Sequence, residues 1–313
     1  MFTNKNYILK IYEEGSFSKA AESLYISQPS LSATVKRLEE KIGVPLFDRS
    51  TFPVSLTEVG REYVKYAMEI EEKENDFSRF LSDFTNSLTG TVRIGGSSLF
   101  SAFVLPAMIS EFNKQYPKVS FKIFENNTHS LVENLNLGQL DIIIDNTVIK
   151  SNEITSYICA SEMILLAVPK SFGISATLQK FCLNADDIKN NKHLSDKYSV
   201  DINMFSAYPF ILLNPENDTG KRANMLFSRH HIKPNILFSL DQQVTSYNIS
   251  CTGMGISFVS DILIKNIDSS PDLNYFRLAD SNMTRNIFFY RKKTRYISEP
   301  CQRFIDANIN IQQ

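Results

Sequence analysis

Residues 27–43 carry the pattern with the clearest chemical use. Leu31, Val35, Leu38 and Ile42 recur at spacings of 4, 3 and 4, one face of a helix. At about 100° per residue, Pro29, Ser32, Ala33, Lys36 and Arg37 then turn to the other side. That outer face is short-chained at its start and basic one turn later. A helix of this kind can lie in a major groove, small side chains against base edges and cations on phosphates. Ser97-Ser98 form a second candidate. They follow a strand-like run and lead into a helix, whose free N–H groups favour anions, carboxylates in particular. Hydroxyls and amides at other strand ends would add neutral, orientable hydrogen bonds.

Other chemistries find little support. Thr219-Gly220-Lys221 lacks the earlier glycine of a phosphate loop, since Pro215 occupies that place. His230 and His231 are adjacent, so on a helix they diverge and cannot clasp one metal. Cys159, Cys182, Cys251 and Cys301 are far apart, without CxxC or metal-ligand spacing, which suits a reducing cytosol. A thiol sensor at Cys159 or Cys251 has no neighbours that would lower a thiol pKa. There is no GxSxG elbow, and Cys182 with His193 is a chance proximity in sequence. No enzyme activity, metal or cofactor is expected. The N-terminus has no long apolar segment, and no apolar run reaches the ~18–20 residues of a membrane span. A cytoplasmic protein with no membrane partner is expected.

The elements that must position these residues are legible in outline. Residues 2–12 and 19–24 read as two helices before the one at 27–43, with Gly15 and Gly43 as stops and Ala20-Ala21 allowing close approach. Residues 44–57 alternate apolar–turn–apolar, a small wing. Residues 1–61 hold eight Lys or Arg against seven Asp or Glu, so the electrostatic attraction to DNA is weak. From Thr57 to about Leu88 no proline intervenes. Val59, Tyr63, Tyr66, Ile70, Phe77, Leu81, Phe84 and Leu88 form a heptad seam, interrupted at Lys73-Glu74, with Glu69, Glu71, Glu72 and Asp76 on wetted faces. Such a seam needs a partner, most economically a second copy. Residues 91–313 alternate strands and helices: strands near 91–94, 119–125, 141–145, 154–159, 163–168, 210–213, 236–240, 253–259, 273–278 and 286–291, with helices near 100–115, 130–137, 219–230, 242–251 and from 298. Two α/β lobes with mostly parallel sheets are expected, with ligands bound between them.

GSFSKAAESLYISQPSLSATVKRLEEKIGVPLFDRS, followed by LTEVG, resembles the DNA-binding segment of LysR-type transcriptional regulators. More loosely, GTVRIGGSS, GQLDIIID, LLAVPKS, YPFILL and GMGISFVSD are similar to that family's effector-binding domain, which has the fold of periplasmic solute-binding proteins. The resemblance implies an α/β chain with an N-terminal winged helix-turn-helix (1–58), a long linker and dimerisation helix (59–89) and a two-lobed periplasmic-binding-protein-like effector domain (90–313). Lobe I would span 90–166 and 269–313, lobe II 167–268. Base-reading positions fall on Gln28, Pro29, Ser32 and Ala33, with Ser30 and Lys36 nearby and Arg49 supporting a backbone contact. The effector pocket maps to Ser97, Ser98, Thr128, Asn146, Asn214, Thr219 and Gln242. Implied partners are double-stranded DNA with an approximately palindromic site, a small effector more anionic than cationic, a second copy of the chain (dimer or tetramer) and RNA polymerase. The residues alone leave open a solute-binding or scaffolding module whose helix-turn-helix mediates protein contacts.

Three departures from the family stand out. Ala33 replaces a frequent Arg or Gln and cannot grip guanine, although it can meet a thymine methyl. Phe52 stands at the wing tip where a basic residue is common. Residues 171–199 make a longer connection than the family's, expected to be mostly a solvated face, or else a flap over the cleft or a subunit contact.

Overall fold

The computed structural model describes residues 1–84, 88–267 and 272–309. Its contacts divide into two units, 1–85 and 86–313. Among the described residues no helix is long and apolar enough to cross a membrane.

The first unit opens with α1 (Lys5–Glu14), α2 (Phe17–Ser23) and α3 (Gln28–Ile42). Ser16 caps α2 by accepting from Lys19 N, and Ser27 caps α3 by accepting from Ser30 N. Gly15 and Gly43 end α1 and α3 in the left-handed conformation that glycine adopts without a Cβ penalty. Ile8 and Ile11 of α1, Ala20 and Ala21 of α2, and Leu31, Val35 and Leu38 of α3 share one core. The wing follows as β1 (Phe47–Asp48) paired antiparallel with β2 (Ser55–Leu56). The unit closes with α4 (Glu58–Phe84). Gly60 is obligatory there, because an added Cβ would lie 1.9 Å from the Leu46 carbonyl oxygen.

The expected seam along α4 divides in two. Tyr63 stacks on Phe2 and joins Val64 and Ala67 in the first unit's own core. Val59, Tyr66, Phe77, Phe80 and Leu81 remain exposed. Glu72 and Asp76, expected to be wetted, are buried. The side chain of Phe84 lies outside the described residues, as do residues 85–87. Leu88 is beyond the helix and packs against the core of the following unit.

The second unit runs β3 (Gly90–Gly96), α5 (Ser98–Phe103), α6 (Leu105–Gln115), β4 (Val119–Glu125), α7 (Thr128–Asn136) and β5 (Ile142–Asp145). The helix expected over 100–115 is thus split at Val104. Pro106 has no N–H to continue the ladder and suits only a first turn. Next comes β6 (Ile154–Pro169), one continuous strand where two were expected. After it lie α8 (Ala176–Gln179), α9 (Ala185–Lys189), β7 (Ser199–Val200), β8 (Pro209–Leu213), α10 (Asp218–Arg229), β9 (Asn235–Leu240), α11 (Gln243–Cys251) and β10 (Ile256–Ser260). The chain finishes with α12 (Asp261–Asn266), β11 (Leu273–Leu278), β12 (Thr284–Lys292) and α13 (Glu299–Ile309).

Strand order β4-β3-β5-β12-β6-β10-β8-β9 joins two lobes through β6. Parallel β4-β3-β5 and parallel β9-β8-β10 form the two wings of this path. Residues 154–163 of β6 pair with β12, and its later residues pair with β10 and β11. Leu273–Arg277 pair with residues 165–169 of β6, and from Thr284 onward β12 pairs with residues 154–163.

Most residues of the long connection after β6 are exposed, as expected of a solvated face, but it is anchored at four points. Leu178, Leu183, Ile188 and His193 are buried, and Leu183 and Ile188 share a core with Leu165, Val259 and Tyr275. His193 Nε2 lies 3.1 Å from Asp261 Oδ2, and the same carboxylate accepts from Met163 N at 2.9 Å. The segment is thereby fixed to the crossing strand. Sequence pattern missed this because its buried residues are spaced irregularly across short turns. Ile188→Ala should lower unfolding stability by about 2–5 kcal/mol in denaturant titration. A loss under about 0.5 kcal/mol would return the segment to a loose surface flap.

Candidate nucleic-acid interface and effector cleft

Burial of Leu31, Val35 and Leu38 against α1 and α2 leaves the opposite side of α3 facing out. Gln28, Pro29, Ser30, Ala33 and Lys36 are exposed and Ser32 is half-buried. Gln28 Nε2 donates to Ser32 Oγ at 2.9 Å, so two of the expected base-reading groups hold each other before any base arrives. Lys36 is lightly engaged, 3.9 Å from Glu40, and such an exposed pair is worth little. It is available to a phosphate.

Arg49 has partners within its own unit. Its guanidinium bonds Glu39 Oε2 at 3.1 Å and sits 4.7 Å over the Phe17 ring. Glu39 Oε1 also accepts from Leu46 N at 2.8 Å and Phe47 N at 3.3 Å. The carboxylate of α3 thus holds the root of the wing, and Arg49 positions that joint while remaining partly exposed. Sequence reasoning missed Glu39. Its place near the end of α3, ten residues before an arginine, was the available signal.

In the second unit the seven expected pocket residues lie in several separate hydrogen-bonded groups, and only Asn146 bonds directly to Glu162. Ser97 and Ser98 begin α5, and Ser98 Oγ donates to Gln242 Oε1 across the lobes. Gln243 Oε1 accepts from Ser260 N at 3.0 Å, and Ser260 Oγ donates to Glu162 Oε2. Asn146 Nδ2 donates to Glu162 Oε1 at 2.7 Å. Beside Asn146, Asp145 Oδ2 accepts from Thr128 Oγ1 at 2.8 Å. Asn214 Nδ2 donates to Asp241 Oδ1 at 2.6 Å, next to Gln242. Thr219 is buried in the first turn of α10, its N–H donated to Asn217 Oδ1.

The group that Asn146 joins is ionic. Arg285 of β12 donates from Nε to Glu162 Oε1 of β6 and from Nη1 to Asp218 Oδ2 of α10, both at 2.7 Å. Asp218 also accepts from Arg222. Burial opposes the Arg285 charge, but Glu162 and Asp218 outweigh it and raise its pKa. Burial pushes the Asp145 carboxyl up from its ordinary value, against the hydrogen bonds from Thr147 and Thr128. None of these charged residues was singled out from sequence. Glu162 stands alone as a charge in β6 and faces Arg285, near the start of β12, in register; the lone charge in β6 is the signal that could have found the pair. Burial pushes the Cys159 thiol up to about 12, leaving it un-ionised at neutral pH. A separate hollow of about 640 Å³ lies between α6 and α13, lined by Met108, Phe112, Cys159 and Asn308; it shares none of the expected pocket residues.

An outward-facing helix on a winged three-helix unit, followed by two lobes crossed by β6 and β12, agrees with comparison to known families. Residues 4–61 match the model of the bacterial regulatory helix-turn-helix protein, lysR family, and residues 85–308 match the LysR substrate binding domain. The chain belongs to the LysR family. It is a LysR-type DNA-binding transcriptional regulator with an effector-binding domain. The uncharacterized HTH-type transcriptional regulator YcgK of Bacillus subtilis is 27% identical over 302 residues, covering 96% of this chain and 92% of that one. A probable RuBisCO transcriptional regulator of Cyanophora paradoxa is 28% identical, covering 95% and 88%. A full-length OxyR variant from Pseudomonas aeruginosa superposes with a TM-score of 0.71 at 22% identity, covering 99% and 95%. Full-length CbnR complexed with its target DNA gives 0.66 at 18% identity, covering 99% and 98%. These likenesses to solved structures concern the fold.

The Glu39 joint is directly testable. Glu39→Ala should speed amide exchange at Leu46 and Phe47 and cost about 1–3 kcal/mol, since two N–H groups lose their acceptor. Unchanged exchange at both amides would show that the wing is held by other contacts.

Proposed function

We propose that two copies of this regulator read an approximately palindromic DNA site, each through Gln28, Pro29, Ser30, Ser32, Ala33 and Lys36, with Arg49 as a support. The observation that carries this is the solvent-facing side of α3, short-chained where bases would lie and cationic where phosphates would. CbnR, of the same fold, was solved with its target DNA. Pairing is supported by Val59, Tyr66, Phe77, Phe80 and Leu81, exposed along one 27-residue helix, because an apolar stripe of that length is stable in water only when covered. Ile123 and Phe124 on edge strand β4, and Ile236, Leu237 and Phe238 on edge strand β9, are exposed as well. They extend the surface available to a dimer or tetramer. The protein works in the cytoplasm by binding, without catalysis, and its output reaches RNA polymerase.

A small effector settles between the lobes at Ser97, Ser98, Thr128, Asn146, Asn214, Thr219 and Gln242. Arg285 and Arg222 are already matched by Glu162 and Asp218. An anionic group on the effector is therefore met by hydroxyls and by the starts of α7, α10 and α11. The Ser98–Gln242 bond spans the lobes, so a ligand replacing it changes their balance and the spacing of the paired α3 helices.

Binding to a palindromic promoter fragment should weaken steeply as salt rises. Ser32→Arg should change base preference, whereas Lys36→Ala should weaken all sequences alike and lower the salt slope by about one. Base preferences untouched by either substitution, with salt-insensitive affinity, would instead favour a solute-binding or scaffolding module. Ser98→Trp should abolish the effector response and leave DNA affinity intact. A preserved response would move the effector site elsewhere.

A further inference from the structure

We infer that the hollow between α6 and α13 is a second ligand site, taking a neutral, ring-sized apolar molecule with one hydrogen-bond donor. It shares no residue with the interlobe cleft or with α3, and it stands independently of the function proposed above.

The sequence leaves this space open. Residues 107, 108, 111, 112, 114 and 115 fall on one face of α6, and that face lines the hollow. Phe112 turns inward there, edge-on to Phe304 of α13 with ring centroids 5.4 Å apart, and closes the core. Past that contact α6, α13 and β6 offer Ala107, Ala307 and Ala160, each ending at a methyl too short to reach across. A space of about 640 Å³ is left, within the ~300–1,000 Å³ usual for small-molecule sites. Phe112, Cys159 and Asn308 are buried at its floor, and Glu111 and Lys114 are exposed at its rim.

Two features of the floor differ from ordinary packing. β6 carries a bulge there: Ala160 pairs with Ile287 and Ile158 with Phe288, so Cys159 is an extra residue with nothing opposite. In a regular strand neighbouring side chains point to opposite faces, yet Cys159 and Ala160 both border the hollow. The bulge re-aims them. The second feature is Asn308, which is 5% exposed. Its side chain bonds Phe304 O at 2.8 Å, and because that partner is a carbonyl the donating atom must be the amide nitrogen. Asn308 Oδ1 takes no hydrogen bond from any described residue. A buried acceptor in that state draws its donor from whatever fills the hollow, water or ligand.

Charge sets the remaining chemistry. Glu111 and Lys114 pair with each other, and the Cys159 thiol, pushed up to about 12 by burial, is un-ionised. A charged occupant would lose its hydration with no counter-charge at the floor. A ring against Met108 and Phe112, with its O–H or N–H on Asn308 Oδ1, matches both the apolar walls and the single open acceptor.

The test is methyl NMR on the full-length protein labelled at Met and Ala, titrated with phenol, anisole and benzenesulfonate. Phenol should shift the methyls of Met108, Ala160 and Ala307 saturably. Anisole, the same ring without the donor, should bind about three- to tenfold more weakly, and charged benzenesulfonate should leave these methyls unmoved. Asn308→Leu should make phenol and anisole bind alike. Ala307→Trp, a change on the exposed rim, should fill the hollow and abolish the phenol shifts. Absence of shifts at the three methyls in the wild type, as when a second copy of the chain covers the hollow, would overturn the site. Equal affinity for phenol and anisole in the wild type would overturn the assigned ligand class.

Discussion

The packing of Leu31, Val35 and Leu38 against Ile8, Ile11, Ala20 and Ala21 sets the orientation of α3, and the remaining functional geometry depends on it. With that face held by α1 and α2, the turn of the helix leaves Gln28, Pro29, Ala33 and Lys36 no direction but outward. The small Ala20-Ala21 pair lets α3 sit close, so the exposed ridge stands on a rigid base. Glu39 then transmits the same orientation to the wing by gripping two backbone amides and Arg49. A single helix thus fixes both surfaces that can meet a duplex.

The second unit solves a different problem, that of holding two lobes in register while leaving them able to respond. Its answer is a pair of strands, β6 and β12, that carry the chain between lobes, with Glu162 and Arg285 paired where they meet. Buried charges of this kind contribute little net stability, yet removing one partner leaves the other uncompensated. The cluster therefore specifies an arrangement more than it strengthens one. Asn146 reaches it from one lobe and Ser260 and Asp218 from the other, so the ionic pair is tied to both. The extra segment is anchored at this crossing, since His193 and Met163 share the Asp261 carboxylate.

Much of this was legible in sequence where periodicity is strong. The capped α3, the wing, the long helix and the parallel strands all follow from spacing and stop signals, and the residues 273–278 form the strand expected there. Legibility failed where side chains meet through space. Tyr63 fits a heptad seam but is taken by the core of its own unit, and Leu88 is taken by the next. The seven pocket residues were placed by resemblance, while Glu162, Arg285 and Asp218, which form the ionic group beside Asn146, lie far apart in sequence and share no local pattern. Residues 171–199 are mostly exposed, as their lysines and aspartates suggest, and the few residues that anchor them, Leu178, Leu183, Ile188 and His193, are too irregularly spaced to be read from sequence.

The outward ridge of α3, duplicated by pairing of α4, is most directly tested by methylation interference on a selected palindromic duplex. The account predicts interference at guanine N7, on the major-groove edge, in two patches about one helical turn or a multiple of it apart. A single patch, or no N7 interference at all despite tight binding, would contradict it.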